Sequence, residues 1–139
     1  MGAARPMILA SLLIVSGVSL ACDESTTSFQ GPFSFLMVAL AGDTPESLVP
    51  EGGMVTVSEG DQLRLKVQAV DSRERPLPEQ IRTNCISANA DTVVKLDEAL
   101  DRSFMVFLFS ARARGDSVLT CQNDLAGITR IVLVRVEGA

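Results

Sequence analysis

The chain has 139 residues, a formal net charge of −5 and 47% hydrophobic residues, enough for one domain around one ordinary core. The acidic balance argues against nucleic-acid binding, which needs a basic face to displace counterions, and against charge-driven docking on anionic lipid. With no His, Trp or Tyr, the chain lacks the usual general base near neutral pH and the commonest metal ligand, so a Ser–His–Asp or Cys–His site cannot be built from it and no cofactor is expected.

The N-terminus reads as an export signal. Arg5 supplies a positive start, and residues 7–20 (MILASLLIVSGVSL) form an uncharged, largely apolar run. A transmembrane helix needs about 20 apolar residues, so the run suits a cleaved signal better than a span. Ser19-Leu20-Ala21-Cys22 then resembles the lipobox of bacterial lipoproteins, with Ser19 standing where an aliphatic residue is more usual. The resemblance implies cleavage before Cys22, lipid on its thiol, and a membrane as partner through that anchor. Two or three acyl chains make such an attachment long-lived. Residues 1–21 are then the signal, and residues 22–32, polar and Ser/Thr-rich after the cysteine, a lipidated tether.

Three cysteines are an odd count for an exported protein. With Cys22 assigned to lipid by that resemblance, Cys85 and Cys121 remain as an even pair, expected to close in an oxidising compartment. Two buried free thiols are the other reading.

Residues 33–139 carry short β-like signals. The run 35–41 (FLMVALA) ends at Gly42-Asp43-Thr44-Pro45, and 54–58 (MVTVS) alternates after two glycines. Residues 62–71 give the cleanest strand: Leu63, Leu65, Val67 and Ala69 face one way, Arg64, Lys66 and Gln68 the other. Residues 71–78 read as a loop. Strands are predicted over 81–87, 92–96, 104–113, 117–122 and 128–136, the 104–113 run (FMVFLFSARA) suiting a strand covered on both faces. Residues 97–102 (DEALDR) could form one helical turn. About seven or eight short strands with turn signals every ten residues predict an all-β sandwich.

From Glu59-Gly60-Asp61-Gln62-Leu63-Arg64-Leu65 through Asp71, then 84–94 (NCISANADTVV) and 115–121, the chain resembles bacterial immunoglobulin-like domains of the type 2 group. That implies an immunoglobulin-like β-sandwich. Cys85 stands near where that family often has tryptophan, and a bridge to Cys121, joining the two sheets as is familiar in such sandwiches, would fill the place.

Chemistry is sparse. Asp97, Glu98 and Asp101 are the densest acidic cluster, read as a solvated loop before a calcium site. Arg102, Arg112 and Arg114 would form at most a small basic spot. Ser110 and Ser117 lack a base, and Phe104, Phe107 and Phe109 are expected to pack the sandwich. No enzymatic activity is expected. The expected function is a cell-envelope lipoprotein, facing the periplasm or the exterior, that displays a non-catalytic interaction domain through loops 71–79, 88–91 and 122–127 to an envelope protein or glycan. The alternative is a structural envelope component or accessory subunit with no ligand of its own. An exposed apolar patch on one sheet favours the subunit; a concave polar pocket favours ligand display. Intact mass of membrane-extracted protein is expected to show a chain beginning at Cys22 plus lipid; a soluble product with a free Cys22 thiol contradicts the anchor.

Overall fold

The structure, a computed structural model, describes residues 28–139; the signal, Cys22 and residues 23–27 lie outside the described residues. Nine strands follow in order: β1 (Ser34–Ala41), β2 (Ser47–Leu48), β3 (Met54–Ser58), β4 (Gln62–Val70), β5 (Thr83–Ser87), β6 (Val93–Asp101), β7 (Phe104–Ala111), β8 (Gly115–Asn123) and β9 (Ile128–Glu137). A short 3-10 turn, Gln80–Arg82, precedes β5.

The strands form two sheets, ordered β2-β1-β4-β7-β6 and β3-β9-β8-β5. Setting aside β2 and β3, the first sheet has the A-B-E-D order and the second the G-F-C order of an immunoglobulin-like sandwich. The N-terminal segment serves both sheets: β1 pairs antiparallel with β4, and β3 crosses over to pair parallel with β9. Gly52 and Gly53 lie in the crossover, Gly52 at a φ of 74° that side chains rarely adopt.

The period-two pattern decides the packing. Leu63, Leu65, Val67 and Ala69 of β4 all point inward and are fully buried, as expected. They meet Met37, Phe107 and Phe109 of their own sheet and Leu119, Cys121, Val132 and Val134 of the other. Phe107 and Phe109 sit 6.5 Å apart at a tilt. The outward row of β7 differs from the expectation of a strand covered on both faces. Phe104, Val106 and Leu108 remain half-buried. Lys66 and Arg64 of β4 lie directly opposite Val106 and Leu108, so long aliphatic stems rather than a third layer shade that row.

Residues 97–101 are not helical. They continue β6, paired to β7 from Asp97↔Leu108 to Asp101↔Phe104, after a bulge between Lys95 and Asp97. Carboxylates four apart share a face on a strand as well as on a helix, so spacing alone could not separate the two.

Cys85 and Cys121 form a disulfide. It does not join the two sheets: the cysteines are direct cross-strand partners on β5 and β8 of one sheet, with Cα atoms 4.0 Å apart. That is the close spacing of a non-hydrogen-bonded antiparallel pair. Both are wholly buried, so the bridge lies in the core and locks β5, an edge strand, onto its neighbour. The bridge spans 36 residues, and closing such a loop stabilises by up to about 4 kcal/mol. Replacing both cysteines by alanine is expected to lower the unfolding free energy from urea titration by an amount approaching that figure, and the midpoint with it, with the strand content retained. An unchanged midpoint contradicts a stabilising bridge.

Candidate functional site

Strand register sorts the loops into two ends. Ser34 lies opposite Val70, and Asp101 opposite Phe104. The 71–82 connection therefore shares an end with the β6–β7 turn and with the β8–β9 turn, where Asn123 faces Ile128. The described chain begins at this end, and Glu137 lies at the other, where its carbonyl accepts from Glu59 N–H. Of the three predicted recognition loops, 71–79 and 122–127 lie at the N-terminal end and 88–91 at the opposite end. They make no single surface. The three arginines also separate: Arg102 lies in the β6–β7 turn, and Arg112 and Arg114 in the β7–β8 connection at the far end. No common basic spot forms from them.

Asp71 organises the N-terminal end. Its side chain is fully buried, a feature sequence reasoning passed over by reading 71–78 as an ordinary loop. Oδ1 accepts from the amides of Arg73 and Arg75, both at 2.9 Å. Oδ2 accepts from Arg75 Nε at 2.8 Å and from the Gln30 amide at 3.3 Å. Arg75 Nη2 then donates to the Ser28 carbonyl, and the guanidinium lies 5.3 Å from the centre of the Phe29 ring. Burial alone pushes the Asp71 carboxyl up. Hydrogen bonds from Arg75, Gln30 and Arg73 outweigh it and hold the group well below the usual carboxylate range. Two buried amides complete this end. Gln80 both donates to and accepts from the Ala69 backbone at 2.8 Å, and Asn123 bonds Thr83 Oγ1 and the Ala126 amide.

The outer faces of the two sheets differ. On the five-stranded sheet, β4 raises Arg64 and Lys66 between the apolar outward rows of β1 and β7. An open trough of about 300 Å³ results, lined among others by Glu46, Arg64, Lys66, Asp97, Asp101 and Leu108. Asp97 and Asp101 face it from β6, but four strand steps separate them by roughly 13 Å, too far to share one ion. Glu98 turns to Lys95 at 2.8 Å. Among the described residues no three His, Cys, Asp or Glu side chains converge as a metal site. Ser117 is buried and hydrogen-bonded to Ser87 and the Asn89 amide, which makes it structural.

The outer face of the four-stranded sheet carries two largely apolar rows. Ile86, Thr120 and Ile131 form one cross-strand row over β5, β8 and β9, and Met54, Leu133 and Val118 form a row over β3, β9 and β8. Ile86, Ile131 and Met54 are each more than half exposed. No charged side chain interrupts these rows; the ion pair of Arg135 and Asp116 borders them.

No family model matches the chain, and no curated protein is significantly similar to it. Two solved structures are alike in fold. The crystal structure of domains 4 and 5 of the S-layer protein SbsC superposes with a TM-score of 0.53 at 17% identity, over 76% of this chain and 52% of that one. The structure of SbsC domains 5–6 gives 0.50 at 19% identity, over 59% of this chain and 38% of that one. The likeness shows the fold. The chain spans about half the length of the first of these structures, and less of the second.

The lowered pKa of Asp71 sets a pH dependence. The carboxylate's contribution to stability is complete above the ordinary value of 3.8 and is lost as pH falls below it through the lowered one. Asp71→Asn is expected to melt below the native protein at pH 7, with the gap closing as pH drops below that ordinary value. A gap that stays constant into acid contradicts the assignment.

Proposed function

We propose that the chain is a lipid-anchored, non-catalytic structural module of the cell envelope, an accessory subunit that packs against another β-sandwich domain through the outer face of its four-stranded sheet. One observation carries this reading. Met54, Ile86 and Ile131 stand exposed in two neighbouring rows of that face that hold no charged side chain, and contiguous exposed apolar surface marks an interaction site. A second flat sheet face is its natural complement, since aligned sheets pack face to face about 10 Å apart. The similar folds in a multidomain S-layer protein support the same reading, because there the fold occurs beside companion domains.

Catalysis is disfavoured on two grounds. The chain holds no histidine, and the carboxyls with clearly shifted pKa, Asp71 and Asp124, are both lowered beside an arginine partner, the wrong direction for a general acid. Among the described residues no helix is long and apolar enough to cross a membrane; in this reading attachment rests on lipid at Cys22. A second reading, display of a ligand-binding domain for an envelope protein or glycan, draws on the charged trough around Arg64 and Lys66.

Site-specific photocrosslinking in intact cells separates the two. Probes at Ile86 and Ile131 are expected to give a discrete adduct with a β-sandwich protein or domain, lost when the neighbouring isoleucine is changed to lysine. A probe at Arg64 is expected to give none. Both isoleucines are exposed, so the lysine variants should fold within about 0.5 kcal/mol of the native protein. Adducts from Arg64 alone contradict the structural reading and favour the ligand one.

A further inference from the structure

The end at which the described chain begins carries an apolar surface of its own. Phe29, Phe33, Leu77, Pro78, Leu125 and Ala126 line a shallow hollow of about 180 Å³ with no ionisable side chain in its wall. The larger hollows on the five-stranded sheet and beside Arg114 are all lined by charged residues. Leu125 at the tip of the β8–β9 turn is 59% exposed, and Ile81 in the 3-10 turn is 60% exposed. The ion pair between Arg82 and Asp124 joins the residues that follow and precede them. The Asp71 network fixes Phe29 to the same end through Ser28 and Gln30.

The position of Ser28 limits how far this surface lies from Cys22. Six residue steps separate it from Cys22, and a fully extended chain covers about 20 Å over that length. If Cys22 carries lipid, the bilayer surface lies within that reach of the hollow. We propose that this end of the sandwich is a membrane-seating surface, at which Phe29, Ile81 and Leu125 enter the boundary between headgroups and acyl chains of the phospholipid bilayer. The inference rests on the anchor reading of Cys22. Arg75 is paired to Asp71 and Arg82 to Asp124; the other exposed charges at this end, Arg73 and Arg102 against Glu74, Glu79 and Asp101, nearly balance and lie at headgroup level in this seating. Seated so, the sandwich stands with its C-terminal end away from the membrane and both sheet faces free at its sides.

The chain contains no tryptophan, so a single introduced indole is an unambiguous reporter. The full lipidated chain carrying Leu125→Trp is extracted, its mass is checked for lipid on Cys22, and it is reconstituted in dioleoylphosphatidylcholine vesicles with and without brominated acyl chains. Ile81→Trp is a second reporter at an equally exposed position, and Ile86→Trp on the sheet face is the control. Emission from residues 125 and 81 is expected to shift to the blue and to be quenched severalfold more by brominated lipid than emission from residue 86. Quenching at 125 and 81 no greater than at 86, in protein whose mass shows the lipid, overturns the seating. A blue shift insensitive to brominated lipid also overturns it, because a protein surface then covers this end. A Cys22 without lipid overturns the anchor reading, and the seating with it, and is read from the mass before any fluorescence.

Discussion

A carboxylate removed from water and saturated with donors holds the architecture to its direction. Asp71 ends β4 and closes the following turn by accepting from Arg73 and Arg75, while the Asp71 amide donates to the Arg75 carbonyl. The same carboxylate takes the Gln30 amide, and Ser72 donates back to the Gln30 carbonyl. An unpaired buried charge costs several kcal/mol, whereas one met by a guanidinium and three backbone amides is retained. The segment nearest Cys22 is therefore tied to the sandwich before β1 begins. That tie holds residues 28–30 at the end of the domain where β1 begins.

The remaining geometry follows from how the N-terminal segment divides. β1, with the two-residue β2 outside it, ends one sheet and β3 ends the other, so one stretch of chain lies along that side of the sandwich. Across the sandwich, β5 and β6 are the opposite edges. The first is bonded covalently to β8, and the second is kinked by a bulge and lined with Asp97, Glu98 and Asp101, which discourages pairing with a stray strand. Beside those two edges, the surfaces that stand out for contact are the apolar rows over Ile86 and Ile131, the charged trough over Arg64 and Lys66, and the two ends.

The strands were legible because a half-buried strand writes its own period. Leu63 to Ala69 alternates with charged residues, and glycine-bearing turns bound most of the runs. The acidic stretch from Asp97 to Asp101 was ambiguous because a spacing of four suits both helix and strand; only pairing with Leu108 and Phe104 decides it. The cysteine pair was legible by count once Cys22 was set aside, but its placement within one sheet depends on strand order, which the sequence does not carry. The same holds for loops 71–79, 88–91 and 122–127, whose division between two ends is a property of topology. Asp71 had a readable signal, an aspartate closing a strand just before Ser72-Arg73-Glu74-Arg75, but the partner at Gln30 lies 41 residues away.

Amide hydrogen exchange of the native protein beside Asp71→Asn tests the tie most directly. The amides of Gln30, Arg73 and Arg75 are expected to exchange slowly in the native protein and at loop rates in the variant, while those of Leu65 and Val132 stay protected in both. Fast exchange at Gln30 in the native protein, or equal protection there in the variant, contradicts the claim that Asp71 fastens the segment at residues 28–30 to the sandwich.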